Sequence, residues 1–243
     1  MSPTARVGTS GWVYPHWRGE FYPPGLPASQ ELRFYAQRLR AVEVNSTFYG
    51  TPSAGSVAAW RAAVPPGFVF AVKANRFVTH MKKLKDPETS LERFTAVAQA
   101  FGEALGPVLF QLPPRFKANP GRLDAFLAIA PRHWRCVLEF RDPTWMVPGV
   151  LAVLARHNAA FCIYDLAGYR SPLEVTAEFV YLRLHGPGHA YQGLYDLPTL
   201  EAWAGRINVW LERSLDVYCF FDNDQAAFAA QNALQLASLL GQG

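Results

Sequence analysis

The chain has 243 residues, of which 50% are hydrophobic and 17% are charged, an ordinary balance for a folded globular protein. This length is close to the roughly 250 residues of one (β/α)8 barrel, so we expect a single domain over residues 1–243. No apolar run approaches the roughly 18 residues that cross a bilayer, and residues 1–6 lack the apolar core of a secretory leader. We therefore expect a cytoplasmic protein without a membrane partner.

Short runs of β-branched and aromatic residues alternate with helical stretches, which is typical of βα units. The eight predicted strands are residues 7–10, 41–46, 68–74, 108–112, 136–141, 160–165, 179–185 and 216–222. The predicted helices are residues 29–39, 53–64, 90–105, 120–130, 148–157, 197–213 and 225–240. Residues 166–178 are too few and too irregular for a full helix, so we expect an irregular barrel after strand six.

A doubly wound open sheet is also built from βα units, so the strand count alone does not decide between the two folds. The turn after the first strand, GWVY at residues 11–14, contains neither GxGxxG nor GxxxxGK[ST]. Both nucleotide-binding fingerprints are therefore missing where an open sheet would carry one. The predicted fold is an α/β protein with a single TIM-type (β/α)8 barrel.

The cysteines and the charge distribution give weaker signals. Cys136, Cys162 and Cys219 each lie in an apolar β-like run without zinc or redox spacing, so we expect all three to be buried. The formal net charge is +4, and only residues 80–85 (HMKKLK) form a local basic cluster. This cluster is either a solvated surface or a wall that attracts an anionic ligand.

Polar residues at the strand ends are the strongest pattern in the sequence. Side chains two apart on a strand share a face, and four predicted strands end in polar pairs with this spacing. The pairs are Glu43 with Asn45, Lys73 with Asn75, Glu139 with Arg141, and Arg183 with His185. The other polar ends are Gln111, Asp165, and Asp222 with Asn223. Because the carboxyl ends of barrel strands line the pocket, the pattern predicts an active site there.

Glu139, Glu43 and His185 are the acid/base candidates, since imidazole exchanges a proton near neutral pH. Lys73, Arg141 and Arg183 are expected to orient an anionic substrate and to stabilise developing negative charge. Lys73 is also a catalytic candidate, although nearby carboxylates should keep it protonated and so disfavour Schiff-base chemistry. The other expected substrate contacts are Asn45, Asn75, Gln111, Asp165, Asp222, Asn223, Trp12, Tyr49 and His80. Alternatively, the charges form a buried ion-pair network that only closes the barrel.

Several other site chemistries are less favoured. A barrel glycosidase of the commonest type would carry carboxylates where this chain has Gln111 and His185. A metal site needs a surplus of anionic or imidazole ligands, and the balanced charges here predict no cofactor, with a single divalent ion as an alternative. The glycine-rich segment 185–193 either donates amides to a phosphate or forms an ordinary turn.

Seven motifs occur in order along nearly the whole chain. They are GTSGW at 8–12, VEVNSTFY at 42–49, FAVKAN at 70–75 followed by Thr79 and His80, LFQLPP at 109–114, LEFR at 138–141, RLHG at 183–186 and FDND at 221–224. On these motifs the chain resembles the family catalogued as domain of unknown function 72, the YecE-like proteins. The resemblance implies a TIM-barrel-like fold and brings no established reaction. Its distant likeness to endonuclease IV and sugar isomerases is an analogy of fold.

Three functions are compatible with the sequence. The leading hypothesis is an enzyme, a hydrolase or isomerase, that performs acid/base chemistry on a small polar or phosphorylated ligand with phosphate, carboxylate or several hydroxyl groups. The second is a protein that binds nucleic acid or cleaves phosphodiesters with the help of a metal, which the basic pI near 9.0 and the HMKKLK cluster suggest. The third is a noncatalytic barrel that binds a metabolite in the same pocket.

Overall fold

A computed structural model describes residues 2–242, except for the side chain of Arg93. The strands are β1 Ala5–Ser10, β2 Ala41–Val44, β3 Val69–Lys73, β4 Leu105–Gln111, β5 Cys136–Glu139, β6 Ala160–Leu166, β7 Tyr169–Arg170, β8 Phe179–Leu184 and β9 Asp216–Phe221. The α-helices are α1 Ala28–Ala36, α2 Ser46–Tyr49, α3 Ala54–Ala63, α4 Pro87–Ala100, α5 Pro120–Ile129, α6 Pro148–Arg156, α7 Leu197–Glu212 and α8 Phe228–Leu239. A π-helical turn spans Phe77–Met81.

Eight parallel strands close into a barrel. Strands β1 to β5 pair in sequence order, β5 pairs with β6, and β8 and β9 complete the circle back to β1. The two-residue strand β7 is an antiparallel addition to β6. The predicted (β/α)8 barrel is confirmed, and so is its irregularity, because residues 167–178 form this hairpin and extended chain instead of a helix.

The apolar core has two layers because strand side chains alternate between faces. Small and aliphatic side chains from β2 to β5, Ala41, Ala71, Leu109 and Val137, and aromatic side chains from β8 and β9 fill the inside of the barrel. Their neighbours along the strands, such as Val42, Val72 and Phe110, pack outward against the helices. The same alternation continues to the carboxyl end of each strand. It places the next inward residues of these four strands, Glu43, Lys73, Gln111 and Glu139, in one layer at the mouth.

Local chain chemistry explains where several elements begin and end. The side chains of Ser53, Asn119 and Asp196 each accept a hydrogen bond from a backbone N–H in the first turn of α3, α5 and α7. Strand β2 ends two residues before its predicted end, because Asn45 adopts helical dihedral angles and starts α2. Helix α4 begins at Pro87, before the predicted start at Ser90, because proline suits the first turn of a helix.

The three cysteines are buried free thiols, which confirms that prediction. Burial raises the pKa of the Cys136 thiol to about 12, so this residue stays protonated at neutral pH. Within residues 2–242, no helix combines the length and the hydropathy needed to cross a membrane.

Candidate functional site

Arg183, on β8, is the centre of a buried ion-pair network at the carboxyl ends of the strands. Its Nη2 donates to Glu43 Oε1, on β2, at 2.7 Å, and its Nη1 donates to Glu139 Oε2, on β5, at 2.7 Å. The same Nη2 lies 3.3 Å from Oδ2 of Asp222, directly after β9. One guanidinium therefore joins carboxylates from three parts of the barrel, and charge-assisted bonds of this kind fix orientation strongly.

Glu43 has further hydrogen-bond donors that the sequence reasoning missed. Ser10 Oγ donates to Glu43 Oε1 at 2.8 Å, and the Tyr181 hydroxyl donates to Oε2 at 2.6 Å. Burial raises the pKa of Tyr181, so this hydroxyl keeps its proton and remains a donor. Strand alternation could have identified Tyr181, which is two residues before Arg183, and the register pairs Ser10 with Glu43.

Glu139 is held between two arginines. Arg183 contacts its Oε2, and Arg141 Nη2 forms an ion pair with its Oε1. The Arg141 guanidinium also lies over the ring of Tyr164, 4.9 Å from its centroid. Burial opposes ionisation of Glu139, but the charges of Arg141 and Arg183 outweigh it and hold the pKa of this carboxyl well below its usual range. Glu139 is therefore a carboxylate at neutral pH and a weak proton acceptor.

His185 lies between a carboxylate, that of Asp222, and a guanidinium, that of Arg141. Its Nδ1 is 2.9 Å from Asp222 Oδ2, and its Nε2 is 3.1 Å from Arg141 Nη2. Burial and the charge of Arg183 lower the pKa of His185, although Asp222 opposes the shift. Because arginine can only donate, these partners assign the neutral tautomer, with Nδ1–H donating to Asp222 and Nε2 accepting from Arg141.

Lys73, at the end of β3, lies against an aromatic ring. Its Nζ is 4.6 Å from the ring centroid of Phe48, and within the described residues no carboxylate oxygen lies within 4.0 Å of this nitrogen. Burial and Arg183 lower the pKa of Lys73. The His80 ring packs edge-on against Phe48 at 5.0 Å, which places this predicted contact beside Lys73. Burial and Lys73 lower the pKa of His80.

The network is layered by solvent exposure. Glu43, Glu139 and His185 are fully buried, and Arg183 is 1% exposed. The outer groups keep some exposed surface: the side chain of Arg141 is 11% exposed, that of Asp222 is 17% exposed, and Lys73 is partly exposed. Two cations and one carboxylate therefore border the mouth. Gln111 is also partly exposed, and it is in register with Glu139.

Three predicted contacts serve the fold. Alternation along β6 turns Asp165 away from the barrel interior, where it pairs with Arg170 at 3.5 Å. Asn223 is buried and donates to the backbone of Gly193 at 2.8 Å. Asn75 donates to the Thr47 carbonyl at 3.1 Å and accepts from the N–H of Phe77 at 2.9 Å. Each of these three side chains thus has a partner within the fold, and its contact with a substrate stays a prediction.

A cavity of about 550 Å³ lies beside β1 and β2, and its lining includes Ser10 but none of the charged side chains of the network. Trp12, Tyr14, Trp60 and Asn45 are among the residues that line it, and the rings of Trp12 and Trp60 meet edge to face at 5.2 Å. Within the described residues, the buried Oδ1 of Asn45 has no hydrogen-bond partner. Tyr49, in contrast, is 74% exposed.

The glycine-rich loop after β8 uses its own amides. The Gly186 N–H donates to the Tyr195 hydroxyl at 2.9 Å, and the Tyr191 N–H donates to the His185 carbonyl at 2.6 Å. The Gly193 N–H is 3.3 Å from Gln225 Oε1. These contacts favour the ordinary turn over a cradle for phosphate.

The basic cluster at residues 80–85 also contributes to the local fold. Lys82 Nζ pairs with Asp86 Oδ2 at 2.8 Å, and Leu84 is buried. Lys83 and Lys85 are exposed. In the described part of the chain, no group of three or more His, Cys, Asp or Glu side chains is arranged to hold a metal ion. The Arg183 guanidinium lies between the three carboxylates of the network instead.

Known proteins of similar sequence and structure cover nearly the whole chain. The UPF0759 protein YunF of Bacillus subtilis (strain 168) is 26% identical, over 96% of this chain and 94% of its own length. A crystal structure of a DUF72 family protein from Thermotoga maritima MSB8 superposes with a TM-score of 0.86 and is 31% identical, over 98% of this chain and 99% of that chain. A DUF72 family protein from Enterococcus faecalis V583 shares the fold, with a TM-score of 0.75 and 21% identity over 99% of both chains. The family model "Protein of unknown function DUF72" matches residues 6–243, and the chain belongs to this family.

Proposed function

We propose that the protein is an enzyme, of the hydrolase or isomerase class, that performs acid/base chemistry on a small anionic or polyhydroxylated substrate at the carboxyl ends of the barrel strands. One observation carries the proposal. Lys73 and Arg141 keep part of their surface exposed at the mouth, whereas Glu43 and Glu139 are buried and paired. Arg141 is a permanent cation, so the exposed part of its guanidinium at the mouth attracts anions, and low-dielectric walls strengthen that attraction.

Arg141 is the best-placed group to bind the anion. Its planar guanidinium suits a phosphate or carboxylate, and it now contacts Glu139 and the Nε2 of His185. An anion that takes over donors of Arg141 would free His185 Nε2 to accept a proton from the substrate. Asp222 would then stabilise the imidazolium through Nδ1–H, as the acid of a catalytic triad does.

The buried members of the network have a positioning role in this proposal. Arg183 holds Glu43 and Glu139, and Glu139 in turn holds Arg141. The low pKa of Glu139 makes it a weaker base than His185. Removal of one member of a buried ion pair costs about 3–5 kcal/mol, so Glu139→Gln should reduce stability as well as turnover.

The test is ligand-induced thermal stabilisation. Inorganic phosphate, small phosphorylated sugars and small carboxylates should raise the unfolding temperature of the wild-type protein, because a ligand that binds only the folded state stabilises it. Arg141→Gln should abolish this shift. Arg156→Gln is the matched control, since Arg156 is an exposed arginine with a carboxylate partner. No stabilisation by any of these compounds, or equal stabilisation of Arg141→Gln, would reject the proposal.

Compounds that stabilise the protein should then be followed by NMR for conversion. A compound that binds but remains unchanged after prolonged incubation would favour the noncatalytic metabolite-binding barrel. Binding of an oligonucleotide that weakens steeply with salt would favour the nucleic-acid alternative. The same assay with added Mg²⁺ or Mn²⁺ tests whether a divalent ion assists the reaction.

A further inference from the structure

We propose that Lys73 is a nucleophile whose Nζ forms a Schiff base with the aldehyde or ketone of a small anionic substrate. The inference rests on the proposed function and deepens it by naming a substrate class, carbonyl compounds that carry phosphate or carboxylate. It also reverses the expectation from the sequence that neighbouring carboxylates keep Lys73 protonated.

The carboxylates near Lys73 are committed to other partners. Glu43 accepts from Arg183, and both of its oxygens have hydroxyl donors. Glu139 is paired with Arg183 and with Arg141. Asp222 is bonded to His185. Each carboxylate thus has a closer cationic or hydrogen-bonding partner than the lysine amine, which explains why no carboxylate oxygen of the described residues lies within 4.0 Å of Nζ.

The surroundings of Lys73 act on its amine in opposite directions. The face of Phe48 lies 4.6 Å from Nζ and by itself stabilises the ammonium form, and His80 packs on that ring from the π-helical turn. Arg183 faces Lys73 from β8, while Glu43, Glu139 and Asp222 act from β2, β5 and the end of β9. Burial is the largest influence and Arg183 the second, and together they lower the pKa of Lys73 against the carboxylates. A desolvated lysine next to another cation is an activated nucleophile.

The reaction is balanced without a redox partner. The Nζ lone pair attacks the carbonyl carbon, the carbon–oxygen π electrons move to oxygen, and a proton passes from nitrogen to that oxygen. The resulting carbinolamine loses one water molecule, and a carbon–nitrogen double bond forms. Arg141, on the mouth side of the network, would hold the anionic group. The protonated imine acidifies the adjacent C–H bond, which suits an isomerase whose base is His185.

Borohydride trapping tests the inference, because hydride converts the imine into a stable secondary amine. Dihydroxyacetone phosphate and pyruvate are the probes, and peptide mass spectrometry locates the adduct. The chain has five lysines, at positions 73, 82, 83, 85 and 117, so each sample contains internal controls. The Lys73 adduct should exceed that of exposed Lys117 severalfold at neutral pH, because the lowered pKa of Lys73 leaves a larger fraction of its amine neutral. Lys73→Arg should remove it, and Lys117→Arg should leave it unchanged.

The pH profile adds a readout that burial alone would not produce. Only the neutral amine attacks, so a lowered pKa means that trapping at Lys73 persists to lower pH than trapping at Lys83 or Lys117. Equal labelling of all five lysines, or parallel pH profiles, would overturn the inference.

Thermal shifts with the same two probes separate this inference from the proposed function. Stabilisation that Arg141→Gln abolishes, without an adduct on Lys73, would overturn the Schiff base and leave the anion site standing. Neither stabilisation nor an adduct would reject both. An adduct on Lys73 that survives in Arg141→Gln would support the nucleophile and reject Arg141 as the anion-binding group.

Discussion

Two arginine–carboxylate pairs of similar geometry lie at opposite ends of the same barrel. At the amino ends of the strands, Arg135 Nη1 is 2.8 Å from Asp216 Oδ2, and the two side chains are 45% and 22% exposed. At the carboxyl ends, Arg183 Nη1 is 2.7 Å from Glu139 Oε2, and the side chains are 2% and 0% exposed. The bond lengths are nearly equal, but water reaches only the first pair.

The difference in exposure decides what each pair does for the protein. An exposed pair contributes about 0–1 kcal/mol. A buried pair costs several kcal/mol to desolvate, and apolar packing in its place is often as stable or more so. Stability alone therefore gives little reason for Arg183, Glu43 and Glu139 to occupy the interior. Their placement is consistent with groups held ready for a ligand at the mouth.

The largest expected effect is the loss of the buried arginine. Arg183→Met should lower the free energy of unfolding by about 3–5 kcal/mol, because Glu43 and Glu139 would remain buried without their shared cation. Arg135→Met, the matched change at the exposed end, should cost less than about 1 kcal/mol. Urea denaturation of both variants measures the two values.

Equal losses of unfolding free energy in Arg183→Met and Arg135→Met would contradict the difference between the buried and the exposed ion pair. Should Arg183→Met fail to fold, Glu139→Gln supplies the same comparison, since it keeps the side-chain volume and removes one buried charge. Its matched partner at the exposed end is Asp216→Asn. Glu139→Gln should again lower the free energy of unfolding more than Asp216→Asn does.

The sequence predicted the barrel because its fold depends on patterns that are local in the chain. All eight predicted strands exist, and their alternation sends Glu43, Lys73, Glu139 and Arg183 to one end. The alternation in β8 also directs Tyr181, two residues before Arg183, to the barrel interior, where it donates to Glu43. Strand ends were less predictable, since Asn45 turns into α2 one residue after β2.

The site was less predictable because exposure and pairing are properties of the whole fold. The sequence gives no sign that Phe48 lies over Lys73, as these residues come from different βα units. Asp165 is a polar strand end, but it does not face the barrel interior. Cys162 faces inward on β6, so alternation makes Tyr164 the next inward residue, and Tyr164 contacts Arg141.

The loop after β8 offers a second test of rigidity at the carboxyl end. Gly186 has φ 121°, and a Cβ there would lie 2.3 Å from the Gln192 carbonyl oxygen. Gly186→Ala should therefore cost about 1–3 kcal/mol. Gly168, in the β6–β7 turn, has φ 78° with no atom within 4 Å of an added Cβ, so Gly168→Ala should cost only about 1 kcal/mol. Thermal unfolding compares the two, and a larger loss at Gly168 would contradict the close packing of the mouth loop.

The contributions of one carboxyl group at each end, Asp224 and Asp216, to stability should change with pH in opposite directions. Burial raises the pKa of Asp224, at the carboxyl end, to about 6 from 3.8, against a hydrogen bond from Trp17. The folded state then binds more protons between these values, so this group makes stability fall as pH rises. Burial also opposes ionisation of Asp216, but the Thr4 N–H and Arg135 outweigh it and lower its pKa, so Asp216 makes stability rise with pH.

Urea midpoints of Asp224→Asn, measured between about pH 4 and about pH 7, and of Asp216→Asn, measured from about pH 5 down to about pH 2, test this contrast. Relative to wild type, Asp224→Asn should gain stability as pH rises, by at most about 1.4 kcal/mol per pH unit. Asp216→Asn should lose stability over its own titration range. Slopes of the same sign in both variants would show that one of the two carboxyl groups has been assigned the wrong shift.

The smallest expected effect is the salt dependence of the two pairs. A double-mutant cycle isolates the coupling energy of two residues, and about 1 M NaCl shortens the Debye length to about 3 Å. Coupling between Arg135 and Asp216 should fall from less than about 1 kcal/mol towards zero in this salt. Coupling between Arg183 and Glu139 should stay constant, because ions cannot enter the space around side chains that are 2% and 0% exposed. A salt-sensitive coupling at the mouth would mean that the network opens to solvent, and it would then no longer hold Arg141 and His185 in the fixed geometry that the proposed proton transfer requires.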